Sequence, residues 1–194
     1  MRDHLVSATA RLIAEQRAAG LTVRQIAEEA GVAAGALYNH FDDKDDLLAH
    51  GLLAHIDTVE RSLARPPAAG DLTLAENLAA YLRYLVDLHE QILPAFAGLF
   101  AQPAAIARFH AFPASEKGGD LHQHVDAHLR GERDLGRLGP TVDTGAAASL
   151  LIGACYELVL PRLFGGVGAP VADGGRHLRA VVGVLLDGMT GQPG

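Results

Sequence analysis

Residues 22–48, TVRQIAEEAGVAAGALYNHFDDKDDLL, constrain this chain more tightly than any other stretch. They read as a helix, a tight turn, a short helix and the start of a further helix. Thr22 can cap the first helix, and Gln25, three residues on, can reach back in the spacing of a capping box. Val23, Ile26, Ala27 and Ala30 share one face at helical spacing. Gly31 follows where a left-handed backbone ends the helix, a conformation glycine adopts cheaply. Val32 is the apolar pin of the turn, and Ala33–His40 makes a second, short helix with Leu37 and Phe41 directed inward. Two turns of helix are unstable alone and must be held by their neighbours. A helix-turn-helix presents its recognition helix to a DNA groove in this way.

The run GVAAGALYNHFDDKDDLL resembles the signature of the tetracycline-repressor (TetR) family of one-component transcriptional regulators. The matching positions are Thr22, Ile26, Ala27, Ala30, Gly31, Val32, Gly35, Leu37, Tyr38, His40, Phe41, Lys44 and Leu47. The resemblance covers residues 1–55; beyond them it rests on length and helical architecture. It implies an all-α chain with a three-helix helix-turn-helix DNA-binding domain over residues 1–48 and a helical ligand-binding and dimerisation domain over 49–194. A fourth helix, about 44–63, links the two. The implied function is a dimeric, ligand-responsive, sequence-specific DNA-binding regulator: a repressor released from a palindromic operator by a small-molecule inducer.

Under that resemblance Thr22 and Arg24 contact phosphate at a helix N-terminus, where free N–H groups and the helix dipole favour an anion. Glu28 and Glu29 should point away from DNA. Tyr38, His40 and Lys44 match family residues that contact phosphates, and Gly35 allows close approach to the backbone. Where the family often carries hydroxyls or a cation, this chain has Ala33, Ala34 and Ala36. Base reading then falls to methyl contacts with thymine and to Asn39, which can pair with adenine. Arg2 is a candidate flexible arm or a solvated terminus.

Net charge is −7, and residues 1–50 hold five Lys/Arg against eight Asp/Glu. That balance argues against a sequence-independent coat of DNA and implies modest non-specific affinity with reliance on dimeric binding. The single cysteine, Cys155, excludes an intramolecular disulfide and a zinc-finger spacing. It lies in an apolar run with no adjacent base, so it reads as structural. Asp3 and Glu15 interrupt the N-terminal segment, so it does not read as a signal peptide. The apolar run 145–160 carries Glu157 and is shorter than a membrane span, so it reads as a buried helix in a cytoplasmic protein. No cofactor is implied, and GGVG at Gly165 follows a helix rather than preceding one.

In chain order, a first helix spans Asp3–Ala18 with Leu5, Ala8, Leu12 and Ile13 inward. Asp43 is the N-cap of the fourth helix, whose stripe is Leu47, Leu48, Leu52 and Ile56. Arg65–Asp71 is a break, and Thr73 with Glu76 forms another capping box. Helices follow at 73–89, 92–101 around Pro94, 103–112 and 120–134, with a loop over 111–119. Helices 142–164 and 177–189 are apolar on nearly all faces. A helix apolar all round must be covered all round, so the C-terminal helices (about 142–164 and 175–190) predict a homodimeric four-helix bundle.

The resemblance implies an inducer pocket among the fifth to eighth helices, with Tyr81, Tyr84, His89, His110, Tyr156, Glu157 and Arg162 as polar candidates. A carboxylate in an apolar helix is costly unless paired, which singles out Glu157. His124 and His128 stand four apart with Glu132 on the same face, near His122 and Asp120. That spacing suits a metal pair, but it equally suits a solvated amphipathic face. A helical ligand- or metal-binding enzyme that keeps the helix-turn-helix as scaffold is the rival reading.

Overall fold

The computed structural model describes residues 1–16, 20–113, 121–163 and 174–189. It is 77% helical, with no strand among the described residues, so the all-α expectation holds. The elements are α1 (Arg2–Gln16), α2 (Val23–Glu29), a 3-10 helix (Ala34–Asn39), α3 (Lys44–Ser62), α4 (Leu74–Leu99), α5 (Pro103–Ala111), α6 (Leu121–Asp134), α7 (Thr144–Leu163) and α8 (Gly174–Met189). The helix expected fourth is therefore α3. Most of the loop expected at 111–119, Asp120 and the GGVG run lie outside the described residues.

The chain forms two compact units, Met1–Ser62 with Glu90–Gly118, and Leu63–His89 with Gly119–Gly194. In the first, Leu5, Ala8, Leu12 and Ile13 of α1 are all buried, as are Leu47, Leu48, Leu52 and Ile56 of α3. Ala95, Leu99, Ala105 and Phe109 join the same core. Each fully buried Leu or Ile contributes about 1.5–3 kcal/mol. Helices α1 and α3 approach unusually closely. A Cβ on Gly51 would lie 2.4 Å from Thr9 Cγ2 and 2.9 Å from Thr9 Cβ.

In the second unit the buried stripe of α4 is Leu78, Tyr81, Leu82, Leu85, Val86 and Leu88. It shares that unit's interior with Val125 and Leu129 of α6, Ala148, Leu151 and Cys155 of α7, and Leu178 and Val182 of α8. Thr73 and Glu76 form the expected box at the start of α4, with the Thr73 N–H donating to Glu76 Oε2 at 3.2 Å. The helix continues around Pro94 within one element, α4, which runs to Leu99.

The outward face of α7 is left open within the single chain, as its all-round apolar composition leads us to expect. Thr144–Pro161 is apolar and long enough to cross a membrane by length and composition, yet only 33% of it is buried. Leu150 is 58% exposed and Val184 of α8 is 74% exposed, and Tyr156 and Leu160 are also open. Apolar composition on all faces therefore does not translate into burial within one chain.

Candidate functional site

The helix-turn-helix is assembled by backbone chemistry that the sequence specifies locally. Thr22 caps α2, accepting from the Gln25 N–H at 3.3 Å, while the Thr22 N–H donates to Gln25 Oε1 at 2.9 Å. At the other end Gly31, φ +62°, closes a Schellman turn. Its N–H donates to the Glu28 carbonyl at 3.1 Å, and the Val32 N–H donates to the Ala27 carbonyl at 2.9 Å. This turn directs the chain into the recognition element.

The short helix expected at 33–40 is a 3-10 helix, Ala34–Asn39. The Ala36 N–H donates to the Ala33 carbonyl at 2.9 Å, and the His40 N–H to the Leu37 carbonyl at 3.0 Å. Leu37 and Phe41 are buried and pin it. Residues three apart eclipse one another in a 3-10 helix, so Gly35 stands below Tyr38 and Ala36 below Asn39. Neither small residue shields the longer side chain beside it. Tyr38 is 61% exposed, and Ala33, Ala34, Gly35, Asn39 and His40 are exposed, with Ala36 half-buried. The outcome is a bare surface bearing a phenol, an amide and an imidazole.

The flanking charges are mostly engaged. Arg24 pairs with Glu28 at 2.8 Å and Arg11 with Glu29 at 2.9 Å. Lys44 is half-buried and donates to the Leu21 carbonyl at 3.4 Å. Arg2 is exposed but held: its guanidinium lies 5.1 Å from the Phe41 ring centre and bonds the His50 ring at 2.8 Å. Asp43 is the cap of α3, accepting from the Asp46 N–H at 2.9 Å. Arg108 of α5 bonds its other carboxylate oxygen at 2.7 Å.

In the second unit the polar residues expected around an effector form two groups. Tyr81 packs edge-on to Tyr84 at 6.2 Å and against the His128 ring at 4.5 Å, and burial pushes its phenol up to about 12. His89 meets Tyr156 at 4.9 Å and lies 3.3 Å from the Cys155 sulfur. Cys155 thus has an imidazole beside it, contrary to the sequence reading. That nitrogen, His89 Nδ1, faces the Leu85 carbonyl at 2.7 Å and must donate there, so it does not act as a base towards sulfur. Burial pushes the thiol up to about 12. Glu157 is exposed on α7, so it needs no buried partner in this chain. His110 is exposed and belongs to the first unit, and the Arg162 side chain lies outside the described residues. A cleft of about 390 Å3 opens between α4 and α8, and none of these residues lines it. Its arginines, Arg83 and Arg179, were not singled out from sequence. The signal was Ala75, Ala79 and Arg83 at successive helical turns.

The histidines do not gather. His122 donates to the Gly145 carbonyl at 3.0 Å, His124 is exposed and His128 faces Tyr81. No three His, Cys, Asp or Glu side chains are grouped to hold a metal among the described residues. Glu132, read as continuing a solvated face, is 0% exposed. It accepts from the Asn77 amide and, at 3.2 Å, from the Gly70 N–H. Arg137 Nη1 lies 3.2 Å from its second oxygen, close enough to neutralise it without good hydrogen-bond alignment.

Residues 5–50 match the family described as bacterial regulatory proteins, tetR family. The chain is 41% identical over 64 residues to the HTH-type transcriptional regulator HbdR of Aromatoleum sp. (strain CIB), covering 33% of this chain and 28% of that protein. It is 31% identical over 118 residues to the HTH-type transcriptional regulator PksA of Bacillus subtilis (strain 168), covering 60% and 57%. The matches thus span about a quarter to just over half the length of these curated relatives. A crystal structure from Mesorhizobium loti MAFF303099, assigned to the TetR-family transcriptional regulators, superimposes with a TM-score of 0.71 at 19% identity over 96% of this chain and 95% of that one. Residues 5–50, which hold the helix-turn-helix with its Schellman turn and pinned recognition element, are thus similar to the tetR family of bacterial regulatory proteins, and the all-α fold is shared with the Mesorhizobium loti structure.

Proposed function

We propose that the protein is a dimeric, ligand-responsive transcriptional repressor that binds a palindromic operator through residues 1–48 and senses a small molecule through residues 49–194. It acts in the cytoplasm by binding, not by catalysis. The observation that carries the reading is the 3-10 element, held by buried Leu37 and Phe41 while Tyr38, Asn39 and His40 stand exposed. Asn39 reads a base edge, Tyr38, His40 and Lys44 hold phosphates, and Thr22 and Arg24 sit at the α2 N-terminus, where an anion is favoured.

A second copy of the chain covers the outward apolar face of α7 and α8, where Leu150, Tyr156, Leu160 and Val184 are exposed. Two-fold symmetry then sets two recognition elements one DNA turn apart. Effector binding favours a state in which α3 has swung and this spacing no longer fits. The bond from Arg108 to the cap of α3 supports that coupling, because it ties α5 to the end of α3 that leads into the recognition element.

The test is selection of bound duplexes from a random pool at moderate salt. A two-fold repeat of half-sites is the expected product; a pool that remains random after selection would remove the regulator reading.

A further inference from the structure

The cleft between α4 and α8 pairs an apolar floor with a cationic end. Ala79, Ala80, Leu178 and Val182 supply the floor. Arg83 reaches in from α4 and Arg179 from α8. Arg179 Nη1 and Arg83 Nη2 come within 3.5 and 3.8 Å of a single point, the place a Cβ on Gly175 would occupy. Neither guanidinium has an ion-pair partner among the described residues. The one acid lining the cleft, Glu76, already accepts from the Thr73 N–H and hydroxyl. Two like charges that converge without a counter-ion repel one another, and burying an anion between them reverses the sign of that interaction.

We propose that this cleft is a binding site for an amphiphilic carboxylate, with the anionic head between Arg83 and Arg179 and an apolar body along the alanine floor. Guanidinium groups match carboxylate oxygens in planar, paired hydrogen bonds. The absent side chain at Gly175 leaves room at the head position. A volume of about 390 Å3 is of the size that takes a single small ligand. The site deepens the regulator reading by naming the class of effector, and rests on that reading only for its consequence at DNA.

The experiment is calorimetric titration of the full chain, without DNA, with decanoate and separately with decanol, which shares the apolar body but lacks the charge. Saturable decanoate binding, at least about tenfold tighter than decanol, is expected, since a charged hydrogen bond in a partly dry site is worth about 1.5–3 kcal/mol. Arg83→Gln and Arg179→Gln should each weaken decanoate by about tenfold or more and leave decanol unchanged. Both arginines are exposed, so the variants should melt with the parent. Equal affinity for both probes, no decanoate binding, or full affinity in the double variant would overturn the site. Failure of the duplex selection with these titrations intact would remove the regulator and keep the carboxylate site.

Discussion

Arg108 of α5 donates to Asp43 Oδ2 at 2.7 Å while Asp43 Oδ1 accepts the Asp46 N–H at 2.9 Å, so one carboxylate both caps α3 and anchors α5. Arg108 also lies 3.8 Å from Asp46. Both partners are more than a third exposed, and solvent screening limits such a pair to about 0.2–1 kcal/mol. Asp43→Ala should cost more, about 1 kcal/mol, because the cap is lost as well. A double-mutant cycle of Arg108→Ala and Asp43→Ala by urea unfolding should give a coupling of several tenths of a kcal/mol. Strict additivity would mean the two do not communicate.

At the crossing of α1 and α3, Gly51→Ala should destabilise the protein by about 1–3 kcal/mol, since the new methyl meets Thr9 Cγ2 at 2.4 Å in a packed interior. Thr9→Ala on the same background should restore part of the loss by removing that atom. Thermal melts of the single and double variants decide it, and no rescue would place the strain elsewhere.

On DNA, Asn39→Ala should relax the preference at one operator position by about 1–3 kcal/mol, leaving binding to unrelated duplex little changed. Lys44→Ala should weaken binding to every duplex and lower the salt slope by about one unit. Affinities for selected and scrambled duplexes across a salt series separate the two effects. Identical behaviour of both variants would contradict the assignment.

Glu132→Ala should cost about 3 kcal/mol, because it takes the carboxylate partner from Arg137 and an acceptor from Asn77 and the Gly70 N–H, leaving Asn77 its bond to the Ala68 carbonyl and Arg137 its bond to the Leu72 carbonyl. Glu132→Gln should recover part of this by keeping an acceptor for Asn77 and the Gly70 N–H. Urea midpoints of the two variants, monitored by circular dichroism, test the order.

Burial holds His55, His89 and His128 below the ordinary histidine value of 6.5, against a carbonyl bond to Gln91, a carbonyl bond to Leu85 and the charge of Glu132 respectively. Each is harder to protonate folded than unfolded, so the unfolded chain binds more protons. Their contribution is complete above pH 6.5 and is lost as pH falls through that value towards the folded ones. The urea midpoint should therefore drop between about pH 7.5 and 5.5. A midpoint that holds or rises over that range would contradict neutral burial of the three rings.

What could be read from the sequence was the chemistry that closes over a few residues. The boxes at Thr22 with Gln25 and Thr73 with Glu76, the turn glycine Gly31 and the cap Asp43 all involve partners three or four positions apart or a backbone conformation at one residue. The inward stripes of α1 and α3 followed from helical periodicity alone. Long-range relationships were not legible: Glu132 meets Asn77 across 55 positions, Cys155 meets His89 across 66, and Arg108 meets Asp43 across 65. Nor could periodicity distinguish a 3-10 from an α-helix in AGALYN, where the choice is made by Leu37 and Phe41 reaching the core. For α7 composition said that the surface needs covering, and the single chain leaves Leu150, Tyr156 and Leu160 open.

Neither compact unit is a contiguous length of chain, since α4 starts in one and ends in the other and Glu90–Gly118 returns to the helix-turn-helix. Hybrids cut after Ser62 would therefore remove Ala95, Leu99, Ala105 and Phe109 from the core of the unit that holds the helix-turn-helix, together with Arg108. A working hybrid must carry Glu90–Gly118 with the helix-turn-helix, or import a segment that fills the same hollow. Recombination between similar chains faces the same restriction: the two units can be exchanged only at breakpoints that keep Glu90–Gly118 with Met1–Ser62.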